Sequence, residues 1–270
     1  MRLLRIFLMN DGDMGLSYVH ARKDGTTLIN GSPMEIYFMQ SGGNVPEKPK
    51  GLLLVVSKKL DLTRGNFIAF DYNEPIFYLK GSGSIVTADV VKSGFLSIGQ
   101  EVFNWRPIKT AILTISDKGS RGERQDRSGP ALEKLLPELG CLIYDRAIVP
   151  DDIMEITKKI RQWTEDGCHL ILTTGGTGLA PRDVTPEALL SLGGRLVPGF
   201  GEMMRLNTAG HKATAILSRG LAIALSQTLL LALPGSEQGA IECFLSVANV
   251  IRHSIETLCG WTSECGGHHH

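Results

Sequence analysis

The stretch "LTTGGTGLAPRDVTPEAL", residues 172–189, decides how the second half of this chain folds. It joins an apolar run, "CHLILTT" (168–174), to a helix start in which Thr185 reads as the cap, Pro186 as the first position and Glu187 as an acidic first-turn residue. A strand, a glycine-rich turn and a helix are the repeating grammar of α/β proteins. A simple turn needs one glycine at positive φ. Here Gly175, Gly176 and Gly178 occupy three of four positions, so something must approach the backbone closely.

The same alternation holds from residue 107 onward. "IKTAILTIS" (108–116) and "CLIYDRAIVP" (141–150) are expected strands. Between them "SGPALEKLLPELG" (128–140) is an expected helix, with Ser128 as cap and Gly140 as stop. In "DDIMEITKKIRQWTEDG" (151–167), Ile153, Ile156, Ile160 and Trp163 share one helical face, and Asp151 or Asp152 suits the cap. Shorter helices are expected from Thr185 and around Phe200–Leu206, strands within 215–233, and a final helix from about Ser236 to Leu258. This pattern predicts a parallel, doubly wound sheet covered on both faces, with ligands at the carboxyl ends of the strands.

Residues 1–106 have a different texture. Short β-type runs such as "MEIYFMQ" (34–40), "GLLLVVS" (51–57), "NFIAFDY" (66–72), "PIFYLKG" (75–81) and "SIVTADVV" (84–91) are separated by Gly, Pro, Asn and Asp. A small all-β module, barrel-like, is expected. The segment "GSGSIVTADVVKSGFLSIGQEV" (81–102) resembles the hairpin of domain-two β-barrels in translation factors, which implies shape and no function. The organisation expected is therefore residues 1–106 as the β module, 107–260 as the α/β domain, and 261–270 as a tail whose "GGHHH" resembles an expression-tag remnant.

Composition narrows the function. Basic and acidic residues balance at 28 each, so no global field favours nucleic acid or an anionic membrane. The five cysteines form no C-x-x-C pair, which argues against a disulfide framework or structural zinc and fits a reducing cytoplasm. "LAIALSQTLLLALPG" (221–235) is too interrupted to span a bilayer and reads as two buried strands. "MRLLRIFLMNDGD" lacks the marks of a signal peptide.

Every chemically suggestive segment falls at an expected strand end. "SDKGSRGERQDRSGP" (116–130) collects hydroxyls, glycines and basic residues before a helix, an anion-binding arrangement. "VPDD" (149–152) ends the second strand. The glycine loop is neither a Walker loop nor a dinucleotide fingerprint, yet its N–H groups can cradle a phosphate or lie against a flat ring. Asp183 precedes the expected cap and has no structural duty in the helix start. "LPGSEQ" (233–238) turns the last strand into the last helix.

Taken in order, "TISDKGSRGERQDRSGP", "VPDD", "LTTGGTGLAPRDVTPEAL", "VPGFGEMMR", "AILSR" and "LPGS" closely resemble the molybdopterin adenylyltransferases, the MogA/MoaB family found also as the G domain of gephyrin. The resemblance covers about residues 108–258. It implies a three-layer α/β/α fold and transfer of AMP from ATP to molybdopterin with Mg²⁺, releasing pyrophosphate. It implies Asp151 and Asp183 as catalytic carboxylates that hold Mg²⁺. Ser116, Asp117, Ser128, Gly175, Gly176, Thr177 and Gly178 would then contact molybdopterin, and Arg182, Gly235 and Ser236 the nucleotide phosphates. It also implies a cytoplasmic homotrimer acting on small molecules, with neither nucleic acid nor membrane as partner but with room for other proteins of the cofactor pathway. One departure is Glu237, where the family usually has proline. A non-catalytic molybdopterin carrier on the same fold and a nucleotide hydrolase of the competence-damage type remain as alternatives.

Overall fold

The computed structural model describes residues 4–5, 7–8, 19–21, 27–29, 32–40, 51–56, 60–69, 75–81, 83–92, 94–96 and 101–261. The chain divides into two compact units, with the main break between Pro107 and Ile108. The tag-like "GGHHH" lies outside the described residues.

The first unit, up to Pro107, is built of strands, with no helix among its described residues. Its longest strand, Ser32–Gln40, pairs in parallel with Gly51–Val56 and antiparallel with Ile85–Val90. Pro75–Leu79 pairs with Ile85–Val90 and with Phe67–Ala69, and Phe67–Ala69 pairs with Glu101–Trp105. Alternation along Pro75–Leu79 buries Phe77 and Leu79 while Ile76 and Tyr78 are only half-buried, as a sheet with one covered face requires. Phe38 and Phe77 meet edge to face, with ring centroids 5.3 Å apart, inside a core of Ile36, Leu54, Val56, Ile68 and Val86.

The second unit alternates strands and helices: β1 (Ile108–Ile115), α1 (Asp117–Ser120), α2 (Ser128–Glu133), β2 (Cys141–Val149), α3 (Ile153–Glu165), β3 (Leu170–Thr174), α4 (Thr185–Leu190), β4 (Arg195–Leu196), α5 (Pro198–Ala209), β5 (Ala222–Leu225), β6 (Thr228–Leu233) and α6 (Glu237–Leu258). The sheet order is β2-β1-β3-β6-β5-β4. The first four strands are parallel, but β5 runs antiparallel to β6 and β4 antiparallel to β5, so the sheet is mixed where an all-parallel one was expected. The cause is local. Ser226 and Gln227 close a two-residue hairpin between β5 and β6, and Ser226 takes a left-handed φ of 53°.

Burial explains the layers. β3 and β6 are buried along their whole length, as central strands covered on both faces must be. Ile156, Ile160 and Trp163 of α3 pack with Ala188 and Leu189 of α4 against Ala111, Leu113 and Ile115 of β1. On α6, Phe244, Val247 and Ile251 are buried, and that helix packs against α2, α5 and β6. Ile153, expected on the buried face of α3, is exposed. Two further expectations need correction. The helix after Ser128 ends at Glu133, and Leu136–Leu139 continues as a 3₁₀ turn around Pro137 before Gly140 stops it at φ 70°. Residues 213–217 also form a 3₁₀ turn, so the strand expected from 215 begins only at Ala222.

At the amino end of the sheet, His169 ties β1 to β3. Its Nδ1 accepts a 3.0 Å hydrogen bond from the Lys109 amide, and its own amide donates to the Lys109 carbonyl at 2.8 Å. Only neutral imidazole can accept there. Burial, reinforced by the Lys109 charge, holds the His169 pKa below its ordinary 6.5. A histidine whose folded pKa is depressed contributes stability above the unfolded pKa and loses it as pH falls through the folded value. The wild type is therefore expected to lose more stability than His169→Gln when urea unfolding is compared at pH 8 and pH 5. Equal losses would mean this pairing carries no proton linkage.

Candidate functional site

The glycine loop is shaped first by the protein itself. Gly175 has φ 109°, and a Cβ there would sit 2.2 Å from the Ile115 carbonyl oxygen. Gly176 has φ 62°, and its Cβ would sit 2.4 Å from Thr185 Oγ1 and 3.2 Å from Asp151 Oδ1. At Gly178 a Cβ would lie 2.7 Å from Asp183 Oδ2. The close approach signalled by these glycines is thus made by β1, α4 and the two aspartates. Gly235 belongs to the same junction, since its Cβ would meet Gly175 Cα at 3.1 Å. Hydrogen bonds fasten it: the Gly175 amide to Leu233 O at 3.1 Å, Thr174 Oγ1 to Pro234 O at 2.8 Å, and Thr185 Oγ1 to Gly175 O at 2.8 Å. Thr185 is therefore not the cap of α4. It is buried inside the first turn, where its hydroxyl holds the loop.

On one side of this loop two strand ends exchange aspartates. The Asp117 amide donates to Asp151 Oδ2 at 2.9 Å, and the Asp151 amide donates to Asp117 Oδ1 at 3.0 Å. Arg182 Nη2 bridges both carboxylates, bonding Asp117 Oδ2 and standing 3.4 Å from Asp151 Oδ2. The Asp151 side chain is only 8% exposed, whereas that of Arg182 is 55% exposed. The guanidinium is the part of this cluster most open to solvent. Asp151 is released for this role because Asp152 caps α3, accepting from the Met154 and Glu155 amides at 2.9 and 3.0 Å.

Ser116 caps α1, its Oγ accepting from the Gly119 amide at 3.1 Å. Ser128 is buried and caps nothing. Asp126 does that work, accepting from the Gly129 amide at 3.0 Å, from Ser128 Oγ at 3.2 Å and from Thr114 Oγ1 at 2.8 Å. Nothing in "RQDRSG" separates Asp126 from a solvated loop residue, because its partner Thr114 lies on the preceding strand.

On the other side of the loop is a cavity of about 510 Å³. Gly176, Thr177, Gly178 and Asp183 line it together with Pro234, Gly235 and Ser236, and Met204, Arg205, Lys212 and Cys243 form much of the opposite wall. Ser116, Asp117, Ser128, Asp151 and Arg182 are not among its lining residues. Gly176 thus separates the cavity from the aspartate–arginine cluster while touching both. Asp183 is held by a reciprocal pair with Ala180: the Ala180 amide donates to Asp183 Oδ2 at 3.0 Å, and the Asp183 amide donates to Ala180 O at 2.8 Å. Ser236 caps α6 through a 3.3 Å bond from the Gly239 amide. Glu237 is exposed in the first turn, where it complements the helix dipole, and does not line the cavity.

A residue outside the expected set completes the loop. Arg219 donates from Nε to Gly178 O at 2.8 Å, from Nη2 to Asp183 O and from Nη1 to Glu187 Oε1. Burial opposes ionisation of Glu187, but its hydrogen bond and charge pairing with Arg219 leave its carboxyl below the usual range.

Residues 111–253 match the family described as probable molybdopterin binding domain, more than half of the chain. The chain belongs to that family. Its relatives include a Helicobacter pylori (strain J99) protein named molybdopterin adenylyltransferase, 38% identical over 156 residues that cover 57% of this chain and 89% of that one. An Escherichia coli (strain K12) protein of the same name is 38% identical over 155 residues, covering 55% and 80%. Among solved structures, the molybdopterin biosynthesis enzyme MoaB of Thermus thermophilus is 45% identical with a TM-score of 0.55, covering 57% of this chain and 97% of that chain. The tungsten cofactor synthesizing protein MoaB of Pyrococcus furiosus is 29% identical with a TM-score of 0.53, covering 57% and 98%.

The packing at the strand ends yields a stability prediction. Gly175→Ala combines a left-handed φ with a backbone clash, so it is expected to cost about 2–4 kcal/mol in urea unfolding. Gly122→Ala is the control: its φ is 74°, but no atom lies within 4 Å of the added Cβ. Backbone strain alone, about 1–2 kcal/mol, is expected there. Equal costs at the two positions would mean the Ile115 contact does not constrain the loop.

Proposed function

We propose that this chain transfers AMP from ATP to molybdopterin, forming adenylylated molybdopterin and pyrophosphate in the synthesis of molybdenum cofactor. The observation that carries the reading is a glycine loop with a large cavity and Asp183 on one side and the Asp117–Asp151–Arg182 cluster on the other. That arrangement sits in a chain 38% identical to named molybdopterin adenylyltransferases.

In this reading the terminal phosphate of molybdopterin attacks the α-phosphorus of ATP. A new O–P bond forms as the bond to the β-phosphate oxygen breaks, and pyrophosphate leaves with its charge. Two anions must meet, so fixed donors and cations decide the rate. Gly176, Thr177 and Gly178 hold the pterin against the loop, whereas Ser116, Asp117 and Ser128, implied as pterin contacts by the resemblance, lie outside the cavity lining. Arg182, already paired with carboxylates and open to solvent, is the cation able to exchange one of them for a phosphate. Gly235 and Ser236 add phosphate contacts at the start of α6.

Mg²⁺ suits the donor chemistry. Among the described residues, hydrogen bonds to the Asp151 and Asp183 side chains involve Oδ2 only, leaving a hard Oδ1 oxygen on each. No group of three His, Cys, Asp or Glu side chains able to hold a metal occurs among the described residues. A Mg²⁺ ion that takes one or two protein carboxylates and completes its shell with water and substrate phosphates needs no such group. Bound there, Mg²⁺ would offset phosphate charge.

Several further features support the setting. Among the described residues four cysteines are free thiols, three of them buried, which agrees with a cytoplasmic protein. No described helix is long and apolar enough to cross a membrane. Met203 and Leu206 on α5 and Leu245 and Val250 on α6 are exposed apolar residues, which supports assembly, and we take the state to be a homotrimer. The β module is assigned no part in the chemistry.

The decisive assay is pyrophosphate release from Mg·ATP with and without molybdopterin. Release only with the pterin supports the transfer. Pterin binding without release would mean a carrier, and ATP turnover without the pterin would mean a hydrolase. Asp183→Asn keeps an oxygen to accept from the Ala180 amide but loses the charge, so turnover should fall about 10²- to 10³-fold, roughly 3–4 kcal/mol, with Tm little changed. Asp151→Asn should also slow turnover without the loss of a helix cap, because Asp152 supplies it. Normal rates in both variants would remove the carboxylates from the mechanism. A chain beginning at Pro107 is expected to keep turnover and to run as a trimer in light scattering. Loss of activity in a correctly assembled truncated protein would give the β module a part in the reaction.

A further inference from the structure

Arg219 connects three segments that the proposed chemistry needs in register. Its own amide donates to Thr177 O at 2.9 Å. Its side chain then reaches Gly178 O through Nε, Asp183 O through Nη2 and the Glu187 carboxylate through Nη1. These contacts grip the loop at both ends, 177–178 and 183, and anchor it to the first turn of α4. Between the grips, Leu179, Ala180, Pro181 and Arg182 are exposed. Their fixing within the loop is the Ala180–Asp183 pair, so the path of this tip follows from where Arg219 holds its base.

Two site residues ride on that tip. Asp183 faces the cavity, and Arg182 reaches back to Asp117 and Asp151. Arg219 itself stands between Ser218 and Gly220, which line the cavity and whose carbonyls accept from Arg205 Nη1 at 3.2 and 3.1 Å. One side chain thereby ties one cavity wall to the glycine loop. A forked guanidinium is required, because three acceptors in different directions must be met at once, and a lysine ammonium on its flexible stem cannot reproduce that planar pattern.

We propose that Arg219 is a positioning residue for adenylyl transfer: it touches no reacting atom, but sets the placement of Asp183 and Arg182 through the loop carbonyls. The inference rests on the adenylyl-transfer reading above. Misplacement of reacting groups by about 1 Å costs on the order of 10²-fold in rate. The effect belongs in kcat, because the pterin-facing residues keep their other anchors, the Arg219 amide on Thr177 O and Thr185 Oγ1 on Gly175 O, while Asp183 O loses its donor.

The test compares wild type with Arg219→Lys and Arg219→Gln. Lysine keeps the charge and the pairing with Glu187 but loses the fork, while glutamine keeps one donor and loses the charge. For each protein, kcat and KM for Mg·ATP and for molybdopterin are measured by pyrophosphate release. Tm and hydrogen–deuterium exchange across residues 175–187 are measured in parallel. The expected result is a kcat lower by about 10²-fold in Arg219→Lys, with both KM values and Tm little changed and faster exchange confined to the loop. Wild-type kcat in the lysine variant would overturn the proposal. So would a rate loss that only tracks the unfolded fraction, or a rise in KM at constant kcat. If the lysine variant does not fold, the same readouts on the glutamine variant decide, and failure of both to fold would assign Arg219 to the scaffold and overturn the proposal. A wild type that releases no pyrophosphate refutes the adenylyl-transfer reading instead, while loop exchange still reports whether Arg219 orders residues 177–183.

Discussion

The carboxyl ends of β1, β3 and β6 converge so tightly that no side chain fits between them. Gly175 lies against the Ile115 carbonyl, and Gly235 lies against Gly175. In a parallel sheet the strand ends carry the chain outward into loops, and three such exits compete for the same space. Glycine resolves the competition by giving up side-chain volume and accepting a left-handed φ. With the exits held this close, the residue after each strand arrives at a common edge. Ser116 and Asp117 follow β1, Asp151 follows β2, the glycine loop follows β3, and Ser236 follows β6.

That convergence also sorts charge. Asp117 and Asp151 would repel if left alone, but each accepts from the other's amide, and Arg182 bridges them, offsetting one of the two negative charges. Asp183 is kept apart on the cavity side, its carboxylate partly satisfied by the Ala180 amide. A single loop thus presents a carboxylate to one compartment and a cation to the other. The loop is shaped by its packing against β1 and α4, and Arg219 braces it from the opposite wall. Charge placement at this edge is therefore a consequence of backbone packing, and no individual residue achieves it by itself.

The first unit follows simpler rules. Pro75–Leu79 alternates buried and half-buried residues over one aromatic-aliphatic core, to which Phe67–Ala69 adds Ile68. The solved relatives cover only about 57% of the chain, which matches the extent of the α/β unit. The two halves carry different physical signatures: period-two alternation with turn residues in the first, and fully buried strands between amphipathic helices in the second.

Those signatures are local, and local features were legible in the sequence. The change of texture near residue 106, the strand–helix alternation beyond it, the buried face of α3 at Ile156, Ile160 and Trp163, and the gathering of suggestive residues at strand ends all follow from hydrophobic period and turn chemistry. What the sequence could not decide depends on partners distant in the chain. Asp126 became a cap through Thr114, Thr185 became a loop anchor through Gly175, and Asp152 capped α3, which left Asp151 to pair with Asp117. Arg219 gained its place only when residues about forty positions earlier folded against it. A residue's periodicity is a property of its neighbours in sequence, whereas its hydrogen-bond partner is chosen by the packing of the whole sheet.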